Sequence, residues 1–191
     1  MNETIGRLLA AGRVAEVFEW GSRVLKLYKS TAAKPAAFRE AGVHAAVESL
    51  GLPVPKVWSV EQIAGRWGLV FDRVNQASFA EHMLNNSDDG PQYLAKYLEC
   101  MVRLHMRIHA HEAVQFASLR VKLAANIAAT ELLDERRKQD LLAGIADMPD
   151  GDRLCHGDFH PMNILGKVSQ PVIIDWPDAR RGDPAADVCR S

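Results

Sequence analysis

The spacing of apolar residues changes once along the chain, and that change limits the fold more than any other feature of the sequence. Residues 4 to 28 alternate apolar and polar side chains, the two-residue period of a strand. Turn residues at Gly12 and Gly21-Ser22 divide them into three short antiparallel strands. Pro35 stands at a first helical position, and the alanine-rich stretch from Ala36 to Leu50 ends at Gly51, with Pro53 and Pro55 behind it, so one helix follows. Val57 to Val60 and Trp67 to Val74 supply two more strands around a turn at Ala64-Gly65. From Ser78 the period lengthens. Ser78 and Glu81 have capping-box spacing, and Leu94, Tyr97, Leu98, Met101 and Ile108 recur at helical intervals, with helical character as far as Met148. Asn85 to Pro91 and Asp147 to Asp152 read as polar loops. Three very short apolar runs follow: Leu154-Cys155, Ile164-Leu165 and Val172 to Ile174. The pattern predicts an α+β fold with an N-terminal lobe, residues 1–74, of five antiparallel strands and one helix. A mainly helical lobe, residues 75–191, completes it, and ligands are expected in a cleft between the lobes.

Composition narrows the partners. Hydrophobic residues make up 48% and charged residues 25%, and 23 Lys+Arg nearly cancel 24 Asp+Glu, which belongs to a folded chain and not a disordered one. No basic footprint suits nucleic acid or an anionic membrane. No apolar run approaches the ~20 residues of a membrane span. Arg7 and Arg13 flank only Leu8 to Gly12, too little for a signal-peptide core, so the cytoplasm is the expected location. Cys100, Cys155 and Cys189 are widely spaced with no CxxC, which favours reduced thiols over a disulfide framework or a zinc ribbon.

The densest chemical signal is the run from Leu154 to Leu165, containing HGDFHPMN at 156 to 163, followed by Val172 to Trp176. Moving a phosphoryl group from ATP to a hydroxyl calls for a carboxylate that orients the hydroxyl and accepts its proton, and for oxygen ligands to Mg²⁺. Asp158, Asn163 and Asp175 match those needs in type and order. Upstream, Lys26 lies inside the apolar strand Val24-Leu25-Lys26-Leu27-Tyr28, where an unpaired ammonium is costly. Glu40, on the following helix, is the natural counter-charge, although a strand lysine reaching solvent is the plainer reading without it. The turn around Gly12 holds a single glycine, a weak phosphate-cradle signal. His105 and His109 have the i, i+4 spacing of a metal chelate, but no third ligand accompanies them in a zinc-protease pattern, so hydrogen-bonded histidines are the plainer reading. Glu131 to Asp140 reads as a solvated helix face. A rival chemistry places His156, Asp158 and His160 on one face of a strand as ligands of a hydrolytic metal centre; Pro161 interrupts that strand, and Lys26 and Glu40 go unused.

Taken together, these motifs resemble the aminoglycoside phosphotransferase and choline kinase-like family of small-molecule kinases. The resemblance runs through Lys26, Glu40, a hinge at Leu69 to Val74, the helix end Leu104 to His109, HGDFHPMN, IIDW at 173 to 176, and GDPAAD at 182 to 187. It implies a protein-kinase-like fold with ATP and Mg²⁺ as cofactors and the hydroxyl of a small molecule as acceptor. Asp158 would be the catalytic base, and Asn163 and Asp175 the metal ligands. Gly12, Lys26, Glu40, Phe71 and Arg73 would attend the nucleotide, and His156 and Asp187 would support the loop. Only seven residues separate Asp175 from Asp183, too few for the activation segment of a protein kinase. The chain departs from the family in lacking GxGxxG, and it stops at Ser191, where the family continues through helices that wall the acceptor pocket. From these departures follow two expectations: self-association through an uncovered apolar face along the helical stripe, and, as the alternative function, a non-catalytic nucleotide- or partner-binding remnant.

Overall fold

The computed structural model describes residues 4–30, 33–85 and 90–190. Residues 86–89 of the expected polar loop therefore lie outside the described residues. The chain forms two compact units, Met1–Leu98 with Pro161–Pro177, and Glu99–His160 with Asp178–Ser191.

In the first unit, β1 (Leu8–Ala11), β2 (Ala15–Trp20), β3 (Arg23–Tyr28), β4 (Val57–Ile63) and β5 (Arg66–Asp72) form an antiparallel sheet in the order β1-β2-β3-β5-β4. The last strand was expected to reach Val74 but ends at Asp72. Asp72 pairs with Arg23, the first residue of β3, and beyond that pair the neighbouring strand has turned away at Gly21-Ser22. The pleat of β3 sorts its residues onto two faces. Leu25 and Leu27 pack with Trp20 and Val70, while Tyr28 joins Ala15, Leu69 and Phe71 against Ala37 of α1 (Lys34–Ser49). Helix α1 begins with Pro35 in its first turn and buries Ala37, Glu40, His44 and Val47, spaced by three and four residues along one face. The His44 ring nitrogen Nε2 lies 2.6 Å from the Pro55 carbonyl oxygen, which fixes the helix to the segment leading into β4. The same unit holds α2 (Phe79–Asn85), with its capping box formed. Glu81 Oε2 accepts from the Ser78 backbone N–H at 2.7 Å, and Ser78 Oγ accepts from Glu81 N–H at 3.1 Å. A two-stranded hairpin, β7 (Ile164–Lys167) with β8 (Gln170–Ile173), completes it.

Helix α3 (Pro91–His109) corrects the expected stripe. The buried row is Tyr97, Cys100, Leu104, His105 and Ile108, whereas Leu94 and Leu98 are 41% and 46% exposed, in one i, i+4 row with Val102 and Met106. Two apolar rows share this helix, one buried and one exposed, and the expected stripe takes residues from both. The helical stretch expected to run to Met148 is also interrupted. Between α3 and α4 (Leu119–Ala129), Ala113 N–H donates to the Asp152 carbonyl and Leu154 N–H to the His111 carbonyl, at 2.8 and 3.0 Å. Backbone groups that would continue the helix are bonded to residues distant in sequence instead. Ser118 caps α4, Asp134 caps α5 (Glu135–Asp147), and α5 buries no residue, as expected of a solvated helix. In the second unit β6 (Arg153–Cys155) pairs with β9 (Arg180–Gly182), followed by α6 (Pro184–Val188). Cys100 and Cys155 are buried, Cys189 is exposed and all three are free; burial pushes the Cys155 thiol up to about 12. Among the described residues no helix is long and apolar enough to cross a membrane.

Two glycines give opposite expectations. Gly42 lies inside α1, and a β-carbon added there would meet nothing within 4 Å, so Gly42→Ala is expected to raise stability by about 0.5–1 kcal/mol through its helix propensity. Gly151 has φ +61°, and a β-carbon there would sit 2.2 Å from the Gly182 carbonyl carbon; Gly151→Ala is expected to cost about 2–4 kcal/mol. Urea unfolding midpoints of the two variants should move in opposite directions.

Candidate active site

Lys26 is placed by the sheet and answered by the helix packed on it. Strand β3 is central, bonded to β2 through Val17 and to β5 through Leu69 at the lysine itself, so the side chain cannot leave the pleated face it occupies. That face meets the buried row of α1. Lys26 Nζ lies 2.8 Å from Glu40 Oε1 and 2.6 Å from Asp175 Oδ1. Side-chain exposures of 16% for Lys26 and 3% for Glu40 make this a largely dehydrated pair. Burial opposes the ammonium's charge, but the carboxylates of Glu40 and Asp175 outweigh it and hold the lysine pKa above its ordinary value. The other Glu40 oxygen, Oε2, accepts from the Tyr28 hydroxyl.

Asp175 reaches Lys26 because of the β7–β8 hairpin. Ile164 pairs with Ile173, and Ile174 N–H donates to the Asn163 carbonyl at 2.9 Å, which sets the residues just outside the hairpin side by side. Asn163 ends a single 3₁₀ turn, Pro161–Asn163, and is buried. Beneath the hairpin Trp176 is fully buried, its indole N–H donating to the Ile173 carbonyl at 3.2 Å. Between Ile174 and Trp176 the backbone of Asp175 adopts φ +65°, a left-handed conformation that costs an aspartate of order 1 kcal/mol. The amide oxygen of Asn163 and the carboxylate of Asp175 are hard donors of the type that a divalent cation such as Mg²⁺ takes.

Of the other residues expected near a nucleotide, Phe71 sits in the buried cluster with its ring edge-on to His44 at 4.8 Å between centroids. Arg73 bonds Glu19 of β2 at 3.0 Å. Gly12 N–H donates to the Ala15 carbonyl at 2.9 Å, as in an ordinary hairpin.

The second unit contains a different construction around Asp187 of α6. The carboxylate is fully buried. Its Oδ1 accepts from Gly157 N–H at 2.7 Å; its Oδ2 accepts from His156 N–H at 2.8 Å and faces Nε2 of both His105 and His109 at 3.0 Å. Burial works to raise the Asp187 pKa, but the two histidines and two backbone donors overcome it and hold the carboxyl well below the usual carboxylate range. Gly157 has φ +83°, and a β-carbon there would lie 2.6 Å from the Asp178 carbonyl oxygen, so the turn that these donors define requires glycine. Asp158, next in the chain, keeps a side chain 44% exposed, with Oδ2 3.4 Å from His160 Nε2. Its backbone N–H donates to Nδ1 of the buried His156 at 3.2 Å.

These positions decide two questions that the sequence left open. Asp187 is the partner missing from the His105 and His109 pair. Among the described residues, these three form the one grouping of His, Cys, Asp or Glu whose ligand atoms all lie within 4.8 Å of one another. With both oxygens already accepting backbone N–H bonds, Asp187 works as a hydrogen-bond hub for the loop. The rival arrangement of His156, Asp158 and His160 needed a strand, yet β6 ends at Cys155 and His156 is buried, so the three do not line one exposed face. Tyr28 bonds Glu40, and His105 and His109 bond Asp187, partnerships that sequence reasoning did not assign; the signals were Lys-x-Tyr spacing on one strand face and i, i+4 histidines on a buried helix row. A cavity of about 330 Å³ in the second unit, walled by Leu119, Leu123, Ile145 and Met148, is lined by none of His156, Asp158 or Asp187.

Compared with known proteins, the chain matches the profile of the Phosphotransferase enzyme family over residues 9–190. Its fold is similar to a thermostable mutant of aminoglycoside phosphotransferase APH(4)-Ia in apo form, with TM-score 0.69 and 19% identity, covering 97% of this chain and 71% of that one. An aminoglycoside-3'-phosphotransferase of type VIII gives TM-score 0.62 and 23% identity over 98% of this chain and 75% of that one. APH(3'')-Id from Streptomyces rimosus, solved with ADP and streptomycin, gives 0.64 and 20% over 91% and 72%. No curated protein sequence matches the chain. At these identities the likeness carries the fold, and it agrees with the α+β, protein-kinase-like class expected from the sequence.

The Asp187 hub has a pH signature. Its folded-state pKa lies below the ordinary aspartate value of 3.8, so its contribution to stability is complete above about pH 4–5 and declines as pH falls through the folded value. Asp187→Asn is expected to lower stability at pH 7 by about 2–4 kcal/mol, by turning an amide toward groups that need an acceptor. It should also flatten the acid side of the stability profile, measured by denaturant unfolding from pH 7 to pH 3. An acid slope equal to the parent's would remove Asp187 as its source.

Proposed function

Because the chain belongs to the Phosphotransferase enzyme family, we propose that it transfers the γ-phosphoryl group of ATP to a hydroxyl of a small polar or cationic molecule, of the aminoglycoside or choline kind. The observation that supports this best is the meeting of Lys26, Glu40 and Asp175 across 149 residues of sequence. A structural strand lysine needs one counter-charge, and this one has two, of which Asp175 is 42% exposed at its side chain. In this reading residues 1–74 form the nucleotide-binding lobe of the chain. Lys26 directs its ammonium at phosphate oxygens while Glu40 keeps it from swinging away. The turn at Gly12 and the stretch around Phe71 and Arg73 attend the nucleotide.

Asn163 and Asp175 would hold Mg²⁺, and their oxygen donors fit it. When bound, the ion neutralises charge on the phosphate oxygens. Asp158 takes the proton of the acceptor hydroxyl as its oxygen bonds to the γ-phosphorus and the bond to ADP breaks. The half-exposed carboxylate suits a proton acceptor that must meet an incoming molecule. His156 and Asp187 hold the backbone on which Asp158 is carried. A second reading, a non-catalytic nucleotide- or partner-binding remnant of the fold, draws on one observation: the Gly12 N–H is spent on the Ala15 carbonyl, which leaves the turn one donor fewer to hold a phosphate for transfer.

Calorimetric titration with ATP is expected to give tighter binding with Mg²⁺ than with EDTA, and Asp175→Ala should abolish the difference. Asp158→Asn should keep nucleotide affinity while turnover on a panel of aminoglycosides, choline and amino-alcohols falls about 10²–10⁴-fold. Equal affinity in EDTA and Mg²⁺ would overturn the metal assignment, and parental turnover in Asp158→Asn would overturn the base. Mg²⁺-dependent binding with no turnover on any acceptor would favour the binding-only reading.

A further inference from the structure

Glu40 is held at both oxygens by two residues of one strand. Lys26 and Tyr28 stand two apart on β3, so their side chains leave the same face of the sheet, the face covered by α1. Lys26 Nζ takes Oε1 at 2.8 Å and the Tyr28 hydroxyl takes Oε2. A carboxylate bonded at one oxygen can still turn about its last side-chain torsion, which is broad and shallow; bonded at both, it has one orientation. We propose that Tyr28 is a positioning residue for the nucleotide-binding lysine: its hydroxyl locks the Glu40 carboxylate, and through it the direction in which Lys26 presents its ammonium. This inference rests on the phosphotransferase reading of Lys26.

The surroundings of Tyr28 suit that role. The residue is 8% exposed, in the cluster with Ala15, Ala37, Leu69 and Phe71, so its ring has little room to tilt. Its backbone oxygen accepts from Arg66 Nε at 2.7 Å, and Arg66 is tied in turn to Glu16 at 2.7 Å. Burial, followed by the neighbouring Glu40 charge, raises the phenol pKa above its ordinary value, so the hydroxyl stays a donor through the working pH range. The lock has a competitor to work against. Asp175 Oδ1 draws on the same ammonium at 2.6 Å, and a Glu40 carboxylate free to rotate would yield Lys26 to Asp175.

A double-mutant cycle read by ATP calorimetry tests this, using the parent, Tyr28→Phe, Lys26→Ala and the double variant, with melting temperatures recorded for each. Tyr28→Phe is expected to weaken ATP binding by about 3- to 10-fold in the parent and to add nothing once Lys26 is gone. Equal weakening in both backgrounds would mean that the hydroxyl matters only for general packing, and would overturn the proposal. So would parental affinity in Tyr28→Phe when Lys26→Ala binds weakly, and that outcome leaves the phosphotransferase reading standing. Parental affinity in Lys26→Ala overturns that reading and the inference with it. If Tyr28→Phe melts below the titration temperature, Tyr28→Met, which also lacks the hydroxyl, replaces it in the cycle.

Discussion

A lysine ammonium in the middle of an antiparallel sheet has to be compensated where it stands. Lys26 is bonded on both sides through its backbone and its side chain is 16% exposed, so water cannot do it. The requirement propagates outward. Helix α1 must cross the sheet with Glu40 in its buried row, where His44, one turn on, meets the Pro55 carbonyl; the β7–β8 hairpin adds in Asp175 a second and more exposed counter-charge. Breaking such a pair by removing one member leaves a buried charge, typically costing several kcal/mol, whereas keeping it contributes little net stability. The ion group is better understood as a constraint on where elements sit than as a source of stability.

The Asp187 hub answers the same difficulty with the signs exchanged. Here a buried carboxylate is met by two backbone N–H groups and by the Nε2 atoms of two imidazoles. Backbone N–H groups can be set around the oxygens without a second full charge to desolvate. The two bonded peptides, at His156 and Gly157, are consecutive, so the carboxylate holds the chain at the point from which Asp158 departs. Rigidity at that point comes from hydrogen bonds to the main chain, which leaves the Asp158 side chain half exposed.

Local chemistry was legible in the sequence and distant pairing was not. Five strands, the proline-started helix, the Ser78–Glu81 box and the short strands around residues 154 to 174 all follow from periodicity and turn residues within a few positions of one another. The gap between α3 and α4 does not, because residues 111 and 113 bond to residues 154 and 152, and no helix propensity encodes that competition. The two apolar rows of α3 show the same limit: spacing reveals that Leu94, Tyr97 and Leu98 lie near one side of a helix, but only the fold decides that Tyr97 is covered and the leucines are not. At the site, Lys26 with Glu40 could be paired from the sequence because a buried charge demands an opposite one nearby. His105 and His109 could not be joined to Asp187, about eighty residues away, since the ring nitrogens of a histidine can be satisfied by many partners, backbone carbonyls included.

Asp175 stands in a backbone conformation that glycine or asparagine would occupy more easily. Glu40 still answers the Lys26 ammonium when Asp175, 42% exposed at its side chain, is replaced, so over many generations a lineage retained only for folding would drift toward those residues at this position. A lineage retained for a carboxylate beside Lys26 would refuse them. The residue found at position 175 in descendants of this chain is therefore a record of what selection has acted on, readable without any assay.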